Sequence, residues 1–326
     1  MGLLVDGRWH DTWYDTDKTK GEFVRTESQF RHWITADGSP GDSGAGGFPA
    51  AAGRYHLFVS RACPWAHRTL ILRQLKGLQN LIGVTRVKPL MLEHGWEMAA
   101  DAALTSPVKG LTYLYELYLH ARPDYSGRVT VPVLWDCERD TIVNNESAEI
   151  IRMFNSAFDG LVPPSPDYYP APQRAEIDRL NRWIYQGVNN AVYRAGFATS
   201  AAAYERAYDE LFATLDALEA RLEDRRYLTG AMPSEADWRL FTTLIRFDAV
   251  YVGHFKTNRQ RIEDYPNLSN YLRDLYQLPG IAATVDFDEI KTHYYASHRQ
   301  INPSGIIPKG PLLDYNRPHD RDRCSG

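Results

Sequence analysis

The sequence predicts an α/β domain followed by an all-α domain. Residues 54–79, RYHLFVSRACPWAHRTLILRQLKGLQ, read as a strand over 55–60, a tight turn, and a helix in which Ala66, Leu70, Ile71 and Leu75 recur at helical spacing. Residues 161–172, LVPPSPDYYPAP, cannot continue a helix, because proline lacks the N–H and clashes with the preceding turn, so they form a linker. From residue 173 to about residue 278 the apolar residues keep helical periodicity. At 326 residues the chain exceeds what one hydrophobic core usually serves, which agrees with two domains.

Composition narrows the function classes. A hydrophobic content of 44% and a charged content of 24% are those of an ordinary globular chain. A net charge of -4 with no long basic run argues against nucleic acid as the partner. Cys63, Cys137 and Cys324 are too few and too scattered for a disulfide framework or a zinc cluster. The start MGLLVDGRWHD has no positive region followed by an apolar core, and no apolar run approaches membrane-spanning length. The expectation is a cytoplasmic protein without membrane contact.

The elements follow in order. Residues 1–53 read as an irregular arm in which Trp9, Trp13, Phe23, Phe30 and Trp33 are scattered among charges before a Gly/Ser/Pro-rich run, 37–53. So many aromatics need cover, so the arm is expected to wrap the first domain. That domain spans 54–160. After the first helix comes a strand over 81–87, then a long insertion, 88–127, containing Glu93-His94-Gly95-Trp96 and the aromatic stretch Tyr113-Leu114-Tyr115-Glu116-Leu117-Tyr118. Strands over 131–135 and 141–143 flank an acidic turn and make a hairpin, and Asn145-Glu146-Ser147 opens a helix to about residue 155. In the helical domain, 173–300, one stripe is Leu180, Ile184, Gly187, Val188 and Ala191, and another is Tyr204, Tyr208, Leu211, Leu215, Leu218 and Leu222. Ser234 and Asp237 form a capping box ahead of Trp238, Phe241, Leu244 and Ile245. The tail, 301–326, carries no recognisable site.

The candidate reactive group is Cys63. Pro64 suits a first helical turn, where its missing N–H would be unpaired anyway. Cys63 therefore stands at the amino end of a helix, where amide N–H groups and the helix dipole favour thiolate over thiol. Small buried cysteines are more often inert packing. Burying one at a strand-to-helix turn, however, would waste the most polar end of the helix. The position of a second cysteine in a dithiol oxidoreductase is taken by Ala66, so an outside thiol must resolve whatever Cys63 forms. His67 reads as a surface or interdomain histidine rather than a base for Cys63, and His94, His254, His293 and His298 lack metal-ligand spacing, so no metal is expected.

The order strand, helix, strand, strand, strand, helix is that of a thioredoxin-like domain. Joined by a proline-rich linker to a helical bundle, it resembles the cytosolic glutathione transferases. Four motifs narrow this: Arg61-Ala62-Cys63-Pro64-Trp65-Ala66-His67-Arg68, the ADGSP and GGF run over 36–48, Glu93-His94-Gly95-Trp96, and Asn144-Asn145-Glu146-Ser147. Together they resemble the glutathionyl-hydroquinone reductases, the xi class of that superfamily, from about residue 21 to about residue 298. The resemblance implies glutathione as co-substrate, usually a homodimer, and a cis peptide bond at Val131-Pro132 opposite the cysteine. It implies that Cys63 attacks the sulfur of a glutathionyl-hydroquinone and that a second glutathione releases glutathione disulfide.

The site residues implied are as follows. Glu146 and Ser147 would hold the γ-glutamyl group at a helix start, although both also suit a plain cap. Arg128, Val129, Thr130 and Val131 would supply a charge and backbone pairs, although a lone Arg128 is ordinarily a solvated charge. Trp96 would cover the glutathione or else anchor a long loop. Tyr193 lies off the apolar stripe of its helix and need not face the bundle core; the resemblance makes it the proton donor. Tyr251 and Tyr294 read as amphipathic core residues from pattern alone, and the resemblance assigns them hydroxyl contacts that favour the Cys63 thiolate. Two other readings compete. An omega-like thiol transferase or dehydroascorbate reductase would use the same cysteine on another substrate. A non-enzymatic interaction module would be expected to have a degraded cysteine turn.

Overall fold

The computed structural model describes residues 2–324. It divides into two compact units, one formed by the residues up to Trp13 with Thr26–Pro166, the other by Tyr14–Arg25 with the residues from Asp167 on.

The first unit is built around β5. Two short strands, β1 (Leu3–Val5) and β2 (Arg8–His10), and the parallel pair β3 (Ile34–Thr35) and β4 (Phe48–Pro49) come before it, so the arm expected to be irregular contains local sheet. In β5 (Tyr55–Val59) every residue is buried, the pattern of a strand covered on both faces. The helix α1 (Pro64–Leu75) buries Ala66 and Ile71 of the expected stripe and also Leu72, while Leu70 and Leu75 are half-buried. It also buries His67 completely, which removes the surface alternative from the reading of that histidine as a surface or interdomain group. β6 (Ile82–Leu92) lies parallel to β5.

Residues 88–127, read as an insertion, are largely built into the domain. β6 runs on through residue 92, turns at Glu93-His94 and returns as β7 (Gly95–Met98), with Met91 opposite Trp96. A short helix, α2 (Ala102–Thr105), follows. The aromatic stretch is a helix, α3 (Leu114–Ala121), whose Leu114, Leu117 and Tyr118 are buried at i, i+3 and i+4. The Glu116 carboxylate starts it by accepting from the Thr112 and Tyr113 N–H groups at 2.6 and 3.0 Å. Tyrosines interrupt the apolar run there, which hid its period.

β8 (Gly127–Arg128) pairs with β1, and β9 (Val133–Asp136) with β10 (Thr141–Asn144) forms the expected hairpin. The sheet order is β10-β9-β5-β6-β7, with β9 antiparallel to β5. A buried ion pair fixes this register: Arg54 reaches Asp136 through Nη2 at 2.6 Å and Nε at 3.1 Å. Asp136 also accepts from the Glu138 and Arg139 N–H groups at 2.9 and 3.2 Å, which shapes the turn into β10. The unit ends with α4 (Ser147–Ser156), whose Ile150, Ile151 and Phe154 are buried.

The second unit is helical. α5 (Arg174–Ile184) passes through a π-helical turn, Tyr185–Asn189, into α6 (Ala191–Gly196). The long α7 (Ala201–Arg221) buries Leu211, Leu215 and Leu218, while Tyr204 and Tyr208 of the expected stripe are half-buried. α8 (Glu235–Arg246) begins at the Ser234/Asp237 capping box, with Ser234 N–H and Oγ both 2.7 Å from Asp237 Oδ2. A second π turn, Phe247–Tyr251, leads to α9 (Val252–His254), and α10 (Pro266–Gln277) and α11 (Phe287–Ser297) complete the bundle. No helix among the described residues is long and apolar enough to cross a membrane.

The tail is tied to this unit by Arg321, which is fully buried and donates to the Leu222 carbonyl at 2.5 Å, to the Arg225 carbonyl, and to Asn267 Oδ1 at 3.3 Å. Leu222 is the C-cap of α7, so Arg321 satisfies a carbonyl that the helix leaves without a partner and sets a cation at the negative end of its dipole. Replacing Arg321 by alanine strands those carbonyls and opens a cavity. The variant should lose about 3 kcal/mol of unfolding free energy in a urea titration.

Candidate functional site

In the first unit the sulfur of Cys63 sits where β5 turns into α1. Cys63 is the N-cap of α1, with extended backbone (φ -76°, ψ 121°), and Pro64 follows at N1. Its N–H donates to the Ser60 carbonyl at 3.2 Å and its carbonyl accepts from the His67 N–H at 2.9 Å, so both sides of its peptide frame are held. The side chain is partly exposed. The Cys63 thiol donates to the Val131 carbonyl oxygen at 3.6 Å, and the Val131-Pro132 peptide bond is cis.

Glu146 is the N-cap of α4, its carboxylate accepting from the Ala148 N–H at 3.1 Å. Ser147 is buried at the first helical position, and its hydroxyl accepts from Arg68 Nη1 at 3.3 Å. Arg68 is itself buried, with its guanidinium 4.4 Å from the Trp65 ring centroid, so a positive charge stands behind the amino end of α4. A helix start with amide donors, a serine hydroxyl and a buried cation suits a carboxylate. Sequence reasoning missed Arg68, although its place in the cysteine motif was visible. It also missed Ser28, whose hydroxyl donates to Glu146 Oε2 at 3.3 Å and to the Asn145 carbonyl at 3.2 Å. Ser28 lies in an irregular stretch and left no periodic signal.

The remaining sequence candidates of this unit take other places. Trp96 is buried in β7 opposite Met91, as an anchor of the hairpin is. Arg128 donates to the main-chain carbonyls of Thr12 and, at 3.0 Å, Trp13. Val129 is buried, and Thr130 accepts at its carbonyl from the Tyr118 hydroxyl at 2.8 Å.

In the second unit three tyrosines converge. The Tyr294 hydroxyl is 2.5 Å from that of Tyr193 and 3.0 Å from that of Tyr251. All three are buried, Tyr193 included, contrary to the expectation that it could turn from the core. The reason lies in α6 itself: it is buried nearly all round, at Ala191, Val192, Tyr193, Ala195 and Gly196, so lying off the Leu180–Ala191 stripe does not take Tyr193 out of the core. Burial, with Tyr193 and Tyr251 beside it, holds the Tyr294 phenol well above its ordinary pKa, against a smaller opposing pull from Arg246. Tyr294 therefore keeps its proton at neutral pH. Around it lie His254 and His298, whose rings meet at Nε2···Nδ1 3.2 Å, and His293. Burial pushes His254 down to about 4, and burial with His293 and His254 nearby pushes His298 well below the usual imidazole range. Among the described residues no three His, Cys, Asp or Glu side chains group in a way that would hold a metal ion.

Comparison with known proteins defines the class first. A family model for the glutathione S-transferase N-terminal domain matches residues 62–157, and one for the C-terminal domain matches residues 201–274. The chain thus has the two domains of a glutathione transferase. It is 59% identical over 324 residues, 99% of each chain, to glutathionyl-hydroquinone reductase YqjG of Escherichia coli K12. The glutathione-bound structure of YqjG matches with a TM-score of 0.89 at 55% identity, covering 98% of this chain and 99% of that one. A xi-class glutathione transferase from Natrialba magadii matches with a TM-score of 0.88 at 45% identity, covering 100% of this chain and 98% of that one. The chain belongs to the glutathionyl-hydroquinone reductases, the xi class of the glutathione transferase superfamily.

The buried histidines make stability depend on pH. His254 takes up its proton more readily unfolded, at about 6.5, than folded, at about 4. Its contribution is complete above about pH 6.5 and is lost as the pH falls toward 4. At about 1.36 kcal/mol per unit, His254 alone should remove roughly 2 kcal/mol between pH 7 and pH 5. Guanidinium unfolding at the two pH values should show His254→Gln losing less than the wild type.

Proposed function

We propose that Cys63 is the nucleophile through which glutathione reduces a glutathionyl-hydroquinone to the hydroquinone. The chain is a glutathione-dependent enzyme of this family, with glutathione as co-substrate. The observation that carries the residue assignment is the placement of Cys63 at the start of α1, with the Val131 carbonyl against its sulfur.

The reaction proceeds in two displacements. The Cys63 thiolate attacks the sulfur of the glutathionyl-hydroquinone. A Cys63–glutathione disulfide forms and the carbon–sulfur bond breaks, leaving its electron pair on the ring carbon. Tyr193 donates the proton that this carbon takes up. A second glutathione then attacks the mixed disulfide and restores the Cys63 thiolate, releasing glutathione disulfide. Ala66 contributes by what it lacks, since a second thiol there would intercept the mixed disulfide. Tyr294, which stays protonated, shares its hydroxyl with Tyr193 and Tyr251 and so fixes where their protons point. In this reading Tyr251 and Tyr294 also favour the Cys63 thiolate.

Glutathione binding is proposed at the start of α4. Ser147 and the first-turn amides take the γ-glutamyl carboxylate, with Arg68 behind them, and Glu146 takes the ammonium. Val131 pairs with the cysteinyl backbone, and Arg128, Val129, Thr130 and Trp96 flank the remainder. The reading keeps the N-terminal domain over 54–160 and the helical domain over 173–300, assembles two copies as a homodimer, and places the enzyme in the cytoplasm, where glutathione is reduced.

Purified protein with glutathione and a glutathionyl-menadiol or glutathionyl-benzoquinol adduct should release hydroquinone and glutathione disulfide. Cys63→Ser should abolish release, and Tyr193→Phe should slow it by about a hundredfold, the scale of a lost general acid. Efficient dehydroascorbate reduction with no hydroquinone release would replace this reading with an omega-like one.

A further inference from the structure

Segment 14–25 of the N-terminal arm belongs to the helical unit and is pinned there at several points. The Thr199 N–H donates to the Gly21 carbonyl and the Ser200 hydroxyl to the Lys20 carbonyl, both at 3.0 Å. Thr199 Oγ1 meets Thr16 Oγ1 at 3.0 Å, and Arg206 pairs with Glu22 at 2.6 Å. Gly21 has φ +88°, and a Cβ there would stand 2.5 Å from the Ser200 hydroxyl, so glycine is required. Ser200 is also the N-cap of α7, which ties the segment to a helix terminus. A segment held this closely delivers its next side chains to fixed places.

Those side chains are Phe23 and Arg25. Phe23 is buried against Phe197, with centroids 5.3 Å apart, and stacks on Tyr193 at 6.4 Å. The Arg25 guanidinium then lies 5.3 Å from the centroid of the Tyr193 ring, within cation–π range, and is half-buried. The other rings packed on Tyr193 are Phe197 of its own helix end, Tyr251 of the π turn, Phe255 beyond α9 and Tyr294 of α11. The titratable and charged groups facing Tyr193 include Arg25 from the arm, Tyr251 and Tyr294, with Arg246 acting on Tyr294 and His254 and His298 in the layer behind Tyr294.

We propose that Arg25 is a positioning residue for the proton transfer from Tyr193, its guanidinium charge stabilising the tyrosinate that forms as the ring carbon of the substrate is protonated. This rests on Tyr193 being the proton donor. A cation over a neutral phenol is attracted by the ring quadrupole, whereas over a phenolate it meets a full opposite charge. The interaction is thus stronger in the transition state than before it, which is the condition for accelerating the step. In that step the Tyr193 O–H bond breaks and a C–H bond forms with the electron pair left by the broken carbon–sulfur bond. The tyrosinate recovers its proton from the thiol of the second glutathione, whose thiolate then opens the Cys63 disulfide.

The test compares full-length wild type, Arg25→Gln, Arg25→Lys and Tyr193→Phe in two assays. One is hydroquinone release from glutathionyl-menadiol. The other is glutathione exchange with 2-hydroxyethyl disulfide, which uses Cys63 but protonates no carbon. Arg25→Gln should lower kcat for hydroquinone release about tenfold. It should also move the alkaline limb of the kcat profile to higher pH, since a tyrosine deprived of the cation is a weaker acid, and enlarge the solvent deuterium isotope effect. Exchange should stay within twofold of wild type, and Arg25→Lys should recover most of the release rate. An unchanged rate and pH profile in Arg25→Gln overturns the proposal, as does an equal loss in both assays, which marks a structural role. Full release by Tyr193→Phe instead overturns the assignment of Tyr193, a result separate from the other two.

Discussion

The sulfur proposed as the nucleophile needs a backbone that cannot drift, and the turn from β5 to α1 holds Cys63 from both sides. Its N–H is fixed on Ser60 and its carbonyl on the first turn of α1, while Pro64 presets the first helical residue. The loop bearing Val131 is set by β9, which is locked to β5 through the buried Arg54–Asp136 pair. Removing either partner would leave a buried charge uncompensated, so the pair specifies register more than it adds stability. The position of Val131 against the sulfur thus depends on an ion pair at the far end of the same two strands.

The second unit solves a different problem, that of keeping three phenols close together in an apolar core. Buried hydroxyls are costly unless they bond one another, and Tyr294 satisfies both Tyr193 and Tyr251 at once. The π turn Phe247–Tyr251 places Tyr251 in this cluster, and the π turn Tyr185–Asn189 precedes Tyr193. Each turn trades regular helical hydrogen bonding for a change of phase, a trade common where side chains must be aimed. The histidines behind Tyr294 stay neutral at physiological pH, so the surroundings of the cluster add no cation from that side.

The arm and the tail tie the ends of the chain to this scaffold by specific polar contacts. Segment 14–25 is fixed just before α7, where the Thr199 N–H and the Ser200 hydroxyl donate to its carbonyls, and the tail by Arg321 at the end of α7. Distant parts of the sequence thus meet both ends of one helix.

The sequence by itself determined the class of the domains, the Cys63 turn, the hairpin, the helix at Ser147 and the capping box at Ser234, because each is written in a local pattern. Proline at a first helical turn, an acidic turn between two short apolar strands and a serine–acid pair three residues apart need no tertiary information. The motifs around Cys63 and Ser147 also carried the family. Tertiary structure alone decided that Tyr193 is buried, because α6 is covered on nearly every side and not along one stripe. It decided that Tyr113–Tyr118 opens a helix, because partly exposed tyrosines masked the period. It decided that Arg25 meets Tyr193 and Arg321 meets α7, because contacts between residues 96 or more positions apart leave no trace in a local window. Burial of His67 and Arg68 likewise followed from α4 packing against α1, since nothing in the side chains themselves marks them as core.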